Sequence, residues 1–385
     1  MKRLVICCDG TWNDEDAHPN VTNVVRMSRA VLQSDLRGKD PVPQITYYHA
    51  GVGTGDLFDR IVGGGLGMGL SRNVRDCYAF VASNYVEGDE VFLFGFSRGA
   101  YTARSVAGLI GWAGLLRKPD MDAFFDLWNG YKAKNKPDAP DTLAAFPKRH
   151  KVVPVRCIGV WDTVGALGIP SHTGDRAREL YQFHDTDLGA HVAYAFHALA
   201  LDERRRDFEP AVWSQTAAGA AVGQVMEQVW FPGVHSNVGG GYEEHGLSDV
   251  TLAWMVSRVA PLLALDMEYV ETRQDRRDEW ALGRIYDSAA GATWALRPKT
   301  ARAPFTKQPQ SATNEKLHQS AVERGSAGVK AVPLPYSLSS AEWPILPLLE
   351  AEARLRWKQS VEPPPRPAPH SLLRNMMADL GLLRE

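Results

Sequence analysis

Gly95-Phe96-Ser97-Arg98-Gly99 is a G-x-S-x-G pattern, and serine there can serve as a nucleophile. The chemistry requires a strand, a sharp turn and then a helix, so that Oγ stands exposed at the top of a sheet. Both flanks fit. Glu90-Val91-Phe92-Leu93-Phe94 is a short apolar run of strand formers, and the stretch from Gly99 to Ala107 is rich in helix formers and small residues. Gly95 and Gly99 permit strained dihedrals and a close approach of helix to strand. With 34 glycines in the chain, the pattern alone is weak, and an ordinary glycine-rich turn is the competing reading. The strand–helix setting favours a serine hydrolase.

A serine hydroxyl is a poor nucleophile at neutral pH and needs a base, itself oriented by a carboxylate. Asp162 directly follows the apolar run Cys157 to Trp161, which puts it at the C-terminal end of a strand. Asp202 is the rival, but with Glu203 it follows a segment that reads as helical and precedes Arg204-Arg205-Arg206, a pattern that suggests ion pairing. A helix cap or turn is the bland reading of Asp162. Among eleven histidines, His235 leaves the strand-like run Val229 to Phe231 and precedes the glycine-rich stretch Asn237 to Tyr242. His197, on the segment read as helical, is its rival, and a helical histidine is usually packed or paired. The expected set is Ser97 as nucleophile, His235 as general base and acid, and Asp162 as orienter. Oxyanion donors are expected from the backbone of Arg98 and from the loop at Gly10 and Thr11, with Asp9 pinning that loop.

Two other chemistries are weaker. Asp9, Asp14, Asp16 and His18 match no calcium-loop spacing and read as a solvated acidic turn, so no metal is expected. Gly51-Val52-Gly53-Thr54-Gly55 lacks the lysine and hydroxyl residue of a P-loop, and a dinucleotide fingerprint fails at Asp56. It reads as a loop beside the site, and no cofactor is expected.

The elements that must carry these residues read as α/β. Leu4–Cys8, Ile45–Tyr48, Glu90–Phe94, Val152–Val160 and Val225–Phe231 read as strands. Helices are expected over 23–32, over 70–85 (Leu70, Val74, Cys77, Tyr78, Val81 and Tyr85 share one face), over 191–201 and over 247–263. The alternation predicts a doubly wound, mostly parallel sheet with helices on both faces, of α/β-hydrolase type. The pattern weakens after residue 265. This divides the chain into a catalytic core (1–265), an extension packed on or capping it (266–361), and a Pro-rich linker with an amphipathic helix (362–385). Leu372, Leu373, Met376, Met377, Leu380 and Leu383 form that helix's apolar face. It reads either as docked on the body or as a lid touching a membrane surface.

Composition narrows the partners. The 385 residues carry a formal charge of −2, which provides no basic field for nucleic acid. The four cysteines show no C-x-x-C spacing and read as reduced, buried thiols. No signal peptide is evident, and no apolar run approaches the roughly 20 residues of a membrane span. Synthesis in a reducing cytosol is expected, with export, if any, by a signal-less route.

Several blocks together resemble one family. They are Cys8-Asp9-Gly10-Thr11-Trp12-Asn13, Thr22-Asn23-Val24, Gly51-Val52-Gly53-Thr54, Leu93 to Ala100, Gly159 to Gly165, His197 to Glu203 and Phe231 to Tyr242. In order, over roughly residues 1 to 260, they are similar to an α/β-hydrolase domain family of bacteria and fungi. Its best-characterised members are type VI secretion phospholipase effectors. The resemblance implies the same Ser97, Asp162 and His235 assignment, a lipid ester substrate of phospholipase A type, and an immunity or secretion partner protein. Asn237 stands where the family often has aspartate, so only a supporting role is expected of it. An esterase for small or polymeric esters, and an idle scaffold acting as a binding module, are the alternatives.

Overall fold

Continuous apolar runs become the strands of one sheet, because a parallel sheet covered on both faces has no solvent side. The computed structural model describes residues 1–10, 20–51, 66–134, 141–146, 149–150, 153–164, 186–272, 280–290, 299–306, 310–327, 344–347 and 352. Its strands are β1 (Arg3–Cys8), β2 (Ser34–Asp35), β3 (Val42–His49), β4 (Glu90–Phe96) and β5 (Val155–Trp161), followed by β6 (Asp187–Leu188), β7 (Val192–Ala200), β8 (Ser214–Gln215), β9 (Val225–Phe231), β10 (Glu315–His318) and β11 (Ile345–Leu346). Nine form one sheet in the order β11-β10-β9-β7-β5-β4-β1-β3-β2, while β6 and β8 pair separately. Within the large sheet every pairing is parallel except that of β2 with β3.

Alternation along β1 divides the core. Leu4, Ile6 and Cys8 face one cluster with residues of α2 (Leu66–Asn84), α3 (Arg98–Ala113) and α4 (Phe124–Ala133). Val5 and Cys7 face the other with α1 (Asn23–Ala30), α6 (Gly246–Val259) and α7 (Met267–Thr272). The fold is thus the expected α/β-hydrolase-like, doubly wound sheet. All four cysteines are buried and free of disulfides.

The expected helix over 191–201 is instead strand β7, central in the sheet between β5 and β9. Alanines at 193, 195, 198 and 200 favour helix locally, but Val192 to Ala200 is too apolar for a one-sided helix. Pairing on both edges and burial on both faces override the propensity. Residues beyond 265 also join the sheet: β10 pairs with β9, and β11 with β10.

Candidate active site

The chain leaves β1 in opposite senses. Strand β3 lies on one side of it and β4 on the other, so the crevice at their C-terminal ends is the topological switch point, where such sheets place ligands. Register aligns that rim, with Cys8 opposite Gly95, Phe96 opposite Trp161, Trp161 opposite Ala198, and Ala200 opposite Phe231. Asp9, Ser97 and Asp162 therefore emerge at one edge.

Ser97 sits at the β4–α3 elbow with φ 57° and ψ −120°, a strained conformation for a residue with a side chain. Its N–H donates to Trp161 O at 3.1 Å, and its carbonyl accepts from Tyr101 N at 3.2 Å. Both flanking glycines are required by packing. A β-carbon on Gly95 would lie 2.5 Å from Gly99 O, and one on Gly99 would lie 2.0 Å from Cys8 O. The Ser97 side chain does not cap the helix and stays partly exposed.

His235 opens α5 (His235–Gly239), one tight turn after β9. Its Nδ1 lies 2.5 Å from Asp162 Oδ2. The carboxylate can only accept, so Nδ1 carries the proton and Nε2 is left bare. Nε2 is buried and makes no hydrogen bond among the described residues. The imidazole packs 4.6 Å from the ring of Phe96, the neighbour of Ser97, and edge-on to Phe208 at 4.9 Å. Ser97 and His235 thus share the rim without a hydrogen bond to each other; such contacts commonly tighten only with substrate bound.

Asp162 is fully buried and takes a left-handed φ of 43°. Its Oδ1 accepts from Ala200 N at 2.9 Å and Arg302 Nη1 at 2.5 Å, and its Oδ2 also accepts from Arg302 Nη2 at 2.9 Å. Burial alone would raise its pKa, but the Arg302 charge and His235 hold it well below the usual carboxylate range. Burial pulls the His235 imidazole below its ordinary value, against the upward pull of Asp162. At neutral pH the pair is carboxylate and neutral imidazole, the states a base needs.

The expected oxyanion donors fare differently. Arg98 N begins α3, where the first N–H groups have no intrahelical acceptor. Gly10 N donates to Asp9 Oδ1 at 2.6 Å, so it is engaged within its own loop and does not fit the donor role expected of it. Thr11 lies outside the described residues, as do Asp14, Asp16, His18 and residues 52–65 and 362–385. Asp9 does pin its loop, accepting from Thr22 Oγ1 at 2.6 Å and Tyr48 Oη at 2.9 Å. Beside it, Asn23 Nδ2 donates to Val238 O at 3.1 Å, tying α1 to the helix that carries His235. Asn237 accepts from Val234 N and donates through Nδ2 to Arg284 O at 3.1 Å, a bond aspartate could not donate.

The rivals prove structural. His197 lies on β7 and is fully buried; its Nε2 accepts from Thr163 N at 3.2 Å, and its Nδ1 faces Gln228 Oε1 at 3.3 Å. Burial pushes its pKa down to about 3. Asp202 follows a strand, not a helix, and pairs with no arginine among the described residues. Its Oδ2 accepts from Gly233 N at 2.6 Å, holding the turn before His235. The ion pair expected there belongs to Glu203, which takes Arg205 at 2.8 Å and accepts from His235 N at 3.2 Å. Sequence reasoning passed over Arg302, while the ion pairing it expected of Glu203 is present. Arg302 lies in a polar, basic stretch with no local signal.

The chain is similar to several known proteins. A family model described as T6SS, phospholipase effector Tle1-like, catalytic domain matches residues 2–258. The uncharacterized protein YEL023C of Saccharomyces cerevisiae is 29% identical over 233 residues, covering 54% of this chain and 32% of the relative. Among solved structures, the Tle1 effector bound to the VgrG spike of the type 6 secretion system is 18% identical with a TM-score of 0.38, covering 63% of this chain and 52% of that one. An uncharacterized protein from Pseudomonas aeruginosa is 17% identical, also at 0.38, covering 67% and 45%. The match therefore spans about a third of the yeast relative and about half of each of these structures.

Proposed function

The chain belongs to the Tle1-like family of type VI secretion phospholipase effector catalytic domains, and from that premise we propose that it is a serine hydrolase of lipid carboxylic esters, of phospholipase A type. One observation carries the reading: His235 Nδ1 lies 2.5 Å from the buried Asp162 carboxylate, with the ring against Phe96 beside the strained Ser97. In this reading Ser97 Oγ attacks the ester carbonyl carbon while His235 Nε2 takes its proton. The backbone N–H of Arg98 stabilises the tetrahedral oxyanion. The imidazolium returns the proton to the departing alkoxide, leaving an acyl-serine. Water, deprotonated by the same imidazole, then releases the fatty acid. Asp162 keeps Nδ1 protonated and Nε2 free throughout. No metal or cofactor enters these steps.

The test is hydrolysis of a panel of defined glycerophospholipids and short-chain esters, read as free fatty acid and lysophospholipid, with fluorophosphonate labelling of the serine. Wild type and His197→Ala should label and turn over, whereas Ser97→Ala and His235→Ala should do neither. Labelling without lipid turnover would favour an esterase for other esters. Absence of both in the wild type would leave a binding scaffold.

A further inference from the structure

We propose that Arg302 is a positioning residue of this site, its guanidinium fork holding the Asp162 carboxylate in the orientation that accepts His235 Nδ1–H. The inference rests on the Ser97, His235 and Asp162 reading above. It places part of the machinery beyond residue 258, where the family match ends.

The geometry is that of a clamp. Arg302 Nη1 and Nη2 each meet one carboxylate oxygen, at 2.5 and 2.9 Å, a two-pronged pairing that fixes a plane as well as a distance. The fork is itself anchored, since Nη1 donates to Ala200 O and Nη2 to Phe208 O, both at 2.6 Å. Those carbonyls belong to the end of β7 and the loop after it, so the arginine ties the acid to the frame around His235. Ala200 N and His235 Nδ1 supply the remaining bonds to the carboxylate. With its acceptor sites filled, Asp162 has no alternative rotamer to visit when the imidazole changes charge.

A structural role alone would not require this arrangement. A buried ion pair is often replaceable by apolar packing at no loss of stability, and a triad aspartate needs only the imidazole and a few N–H groups. The cation also acts electrostatically, by making the carboxylate a weaker partner for imidazolium. The charges around the pair are Arg302 on the acid, and Glu203 with its partner Arg205 under the His235 backbone. His197 and Arg104 lie across the strands, and Asp202 sits at the turn before His235. His197 is neutral, and the Glu203–Arg205 pair is internally balanced. Arg302 is the cation in direct contact with Asp162, so it weakens the hold of that carboxylate on a proton at His235. Removing it should make the imidazole more basic. Because the base must be neutral to accept the serine proton, the acid limb of the rate profile should then move to higher pH.

The experiment uses the full chain as wild type, Arg302→Gln, Arg302→Lys and Ser97→Ala, with a p-nitrophenyl short-chain ester as probe. Both kcat and KM are measured against pH. Arg302→Gln should lower kcat about ten- to hundredfold with KM nearly unchanged, and should raise the acid limb by about one pH unit. Arg302→Lys should keep the limb near its wild-type position but restore only part of kcat, because an ammonium carries the charge without the fork. Wild-type kcat and limb in Arg302→Gln would overturn the inference. So would equal losses in both variants with neither limb displaced. If circular dichroism shows Arg302→Gln unfolded, Arg302→Lys decides, because it keeps the charge: a roughly tenfold or greater loss of kcat with KM unchanged supports the clamp, and wild-type kcat, or unfolding of both variants, overturns it. Activity surviving in Ser97→Ala would instead sink the underlying triad reading.

Discussion

Gly99 lies so close to Cys8 that a β-carbon on it would meet the Cys8 carbonyl oxygen at 2.0 Å and the Asp9 carbonyl oxygen at 2.6 Å. The start of the elbow helix is thereby pressed onto the end of β1, which brings the serine and the Asp9 loop to the same rim. Those neighbours are backbone atoms and cannot swing aside. Gly99→Ala should therefore cost about 3 kcal/mol or more, the upper range for overpacking. Gly88→Ala is the control. It has a φ of 93° but nothing within 4 Å, so it should cost only about 1–2 kcal/mol of backbone strain. Urea unfolding midpoints check the ranking, and equal losses at the two sites would contradict it.

Ser97 holds φ 57° and ψ −120° despite carrying a side chain. Such strain costs about 1–3 kcal/mol and persists at functional positions. Glycine relieves it, less about 0.5–1 kcal/mol of added chain entropy in the unfolded state. Ser97→Gly should therefore melt higher than Ser97→Ala, and both should be inactive. Differential scanning fluorimetry checks the order, and a lower melting temperature for the glycine variant would refute the strain argument.

Asp162→Asn removes the acceptor for His235 and also leaves Arg302 buried opposite a neutral amide. From the triad alone one expects a rate loss of about ten-thousand-fold with the fold intact. The buried arginine adds an uncompensated charge, and breaking such a pair costs about 3–5 kcal/mol. Denaturant unfolding beside kinetics should show both losses. Asp162→Asn combined with Arg302→Met should recover stability but not turnover.

Asp202 is a buried carboxylate whose pKa is raised from 3.8, chiefly by desolvation. The folded protein therefore binds a proton more tightly than the unfolded chain. This lowers stability as pH rises from the unfolded value through the folded one. Asparagine keeps an acceptor for Gly233 N without the charge. Asp202→Asn should match or exceed wild-type stability at pH 7, and the gain should shrink as the pH falls toward about 4. Unfolding curves at the two pH values test this, and a variant destabilised only at pH 7 would contradict it.

What was legible in the sequence was whatever depends on neighbours along the chain. The G-x-S-x-G pattern between an apolar strand and a small-residue helix places Ser97 at an elbow, because the turn's steric demands fall on Gly95 and Gly99 themselves. Asp162 and His235 could be singled out because each leaves an apolar strand, and a parallel sheet gathers its strand ends on one rim. The α/β class followed from the alternation of periodicities. The Val192–Ala200 segment resisted the same reasoning. An alanine-rich apolar run satisfies helix and buried strand alike, and only the edges offered by β5 and β9 made it a strand. That reversal moved His197 into the core as a neutral link. Tertiary structure also settled which acid takes an arginine, giving Arg205 to Glu203 and leaving Asp202 to the Gly233 amide. Arg302 is the clearest case, since it pairs with Asp162 across 140 residues of sequence. No local pattern encodes such a pairing. It exists because the sheet continues through β10 and the chain before that strand returns across the rim, where a buried carboxylate requires a counter-charge.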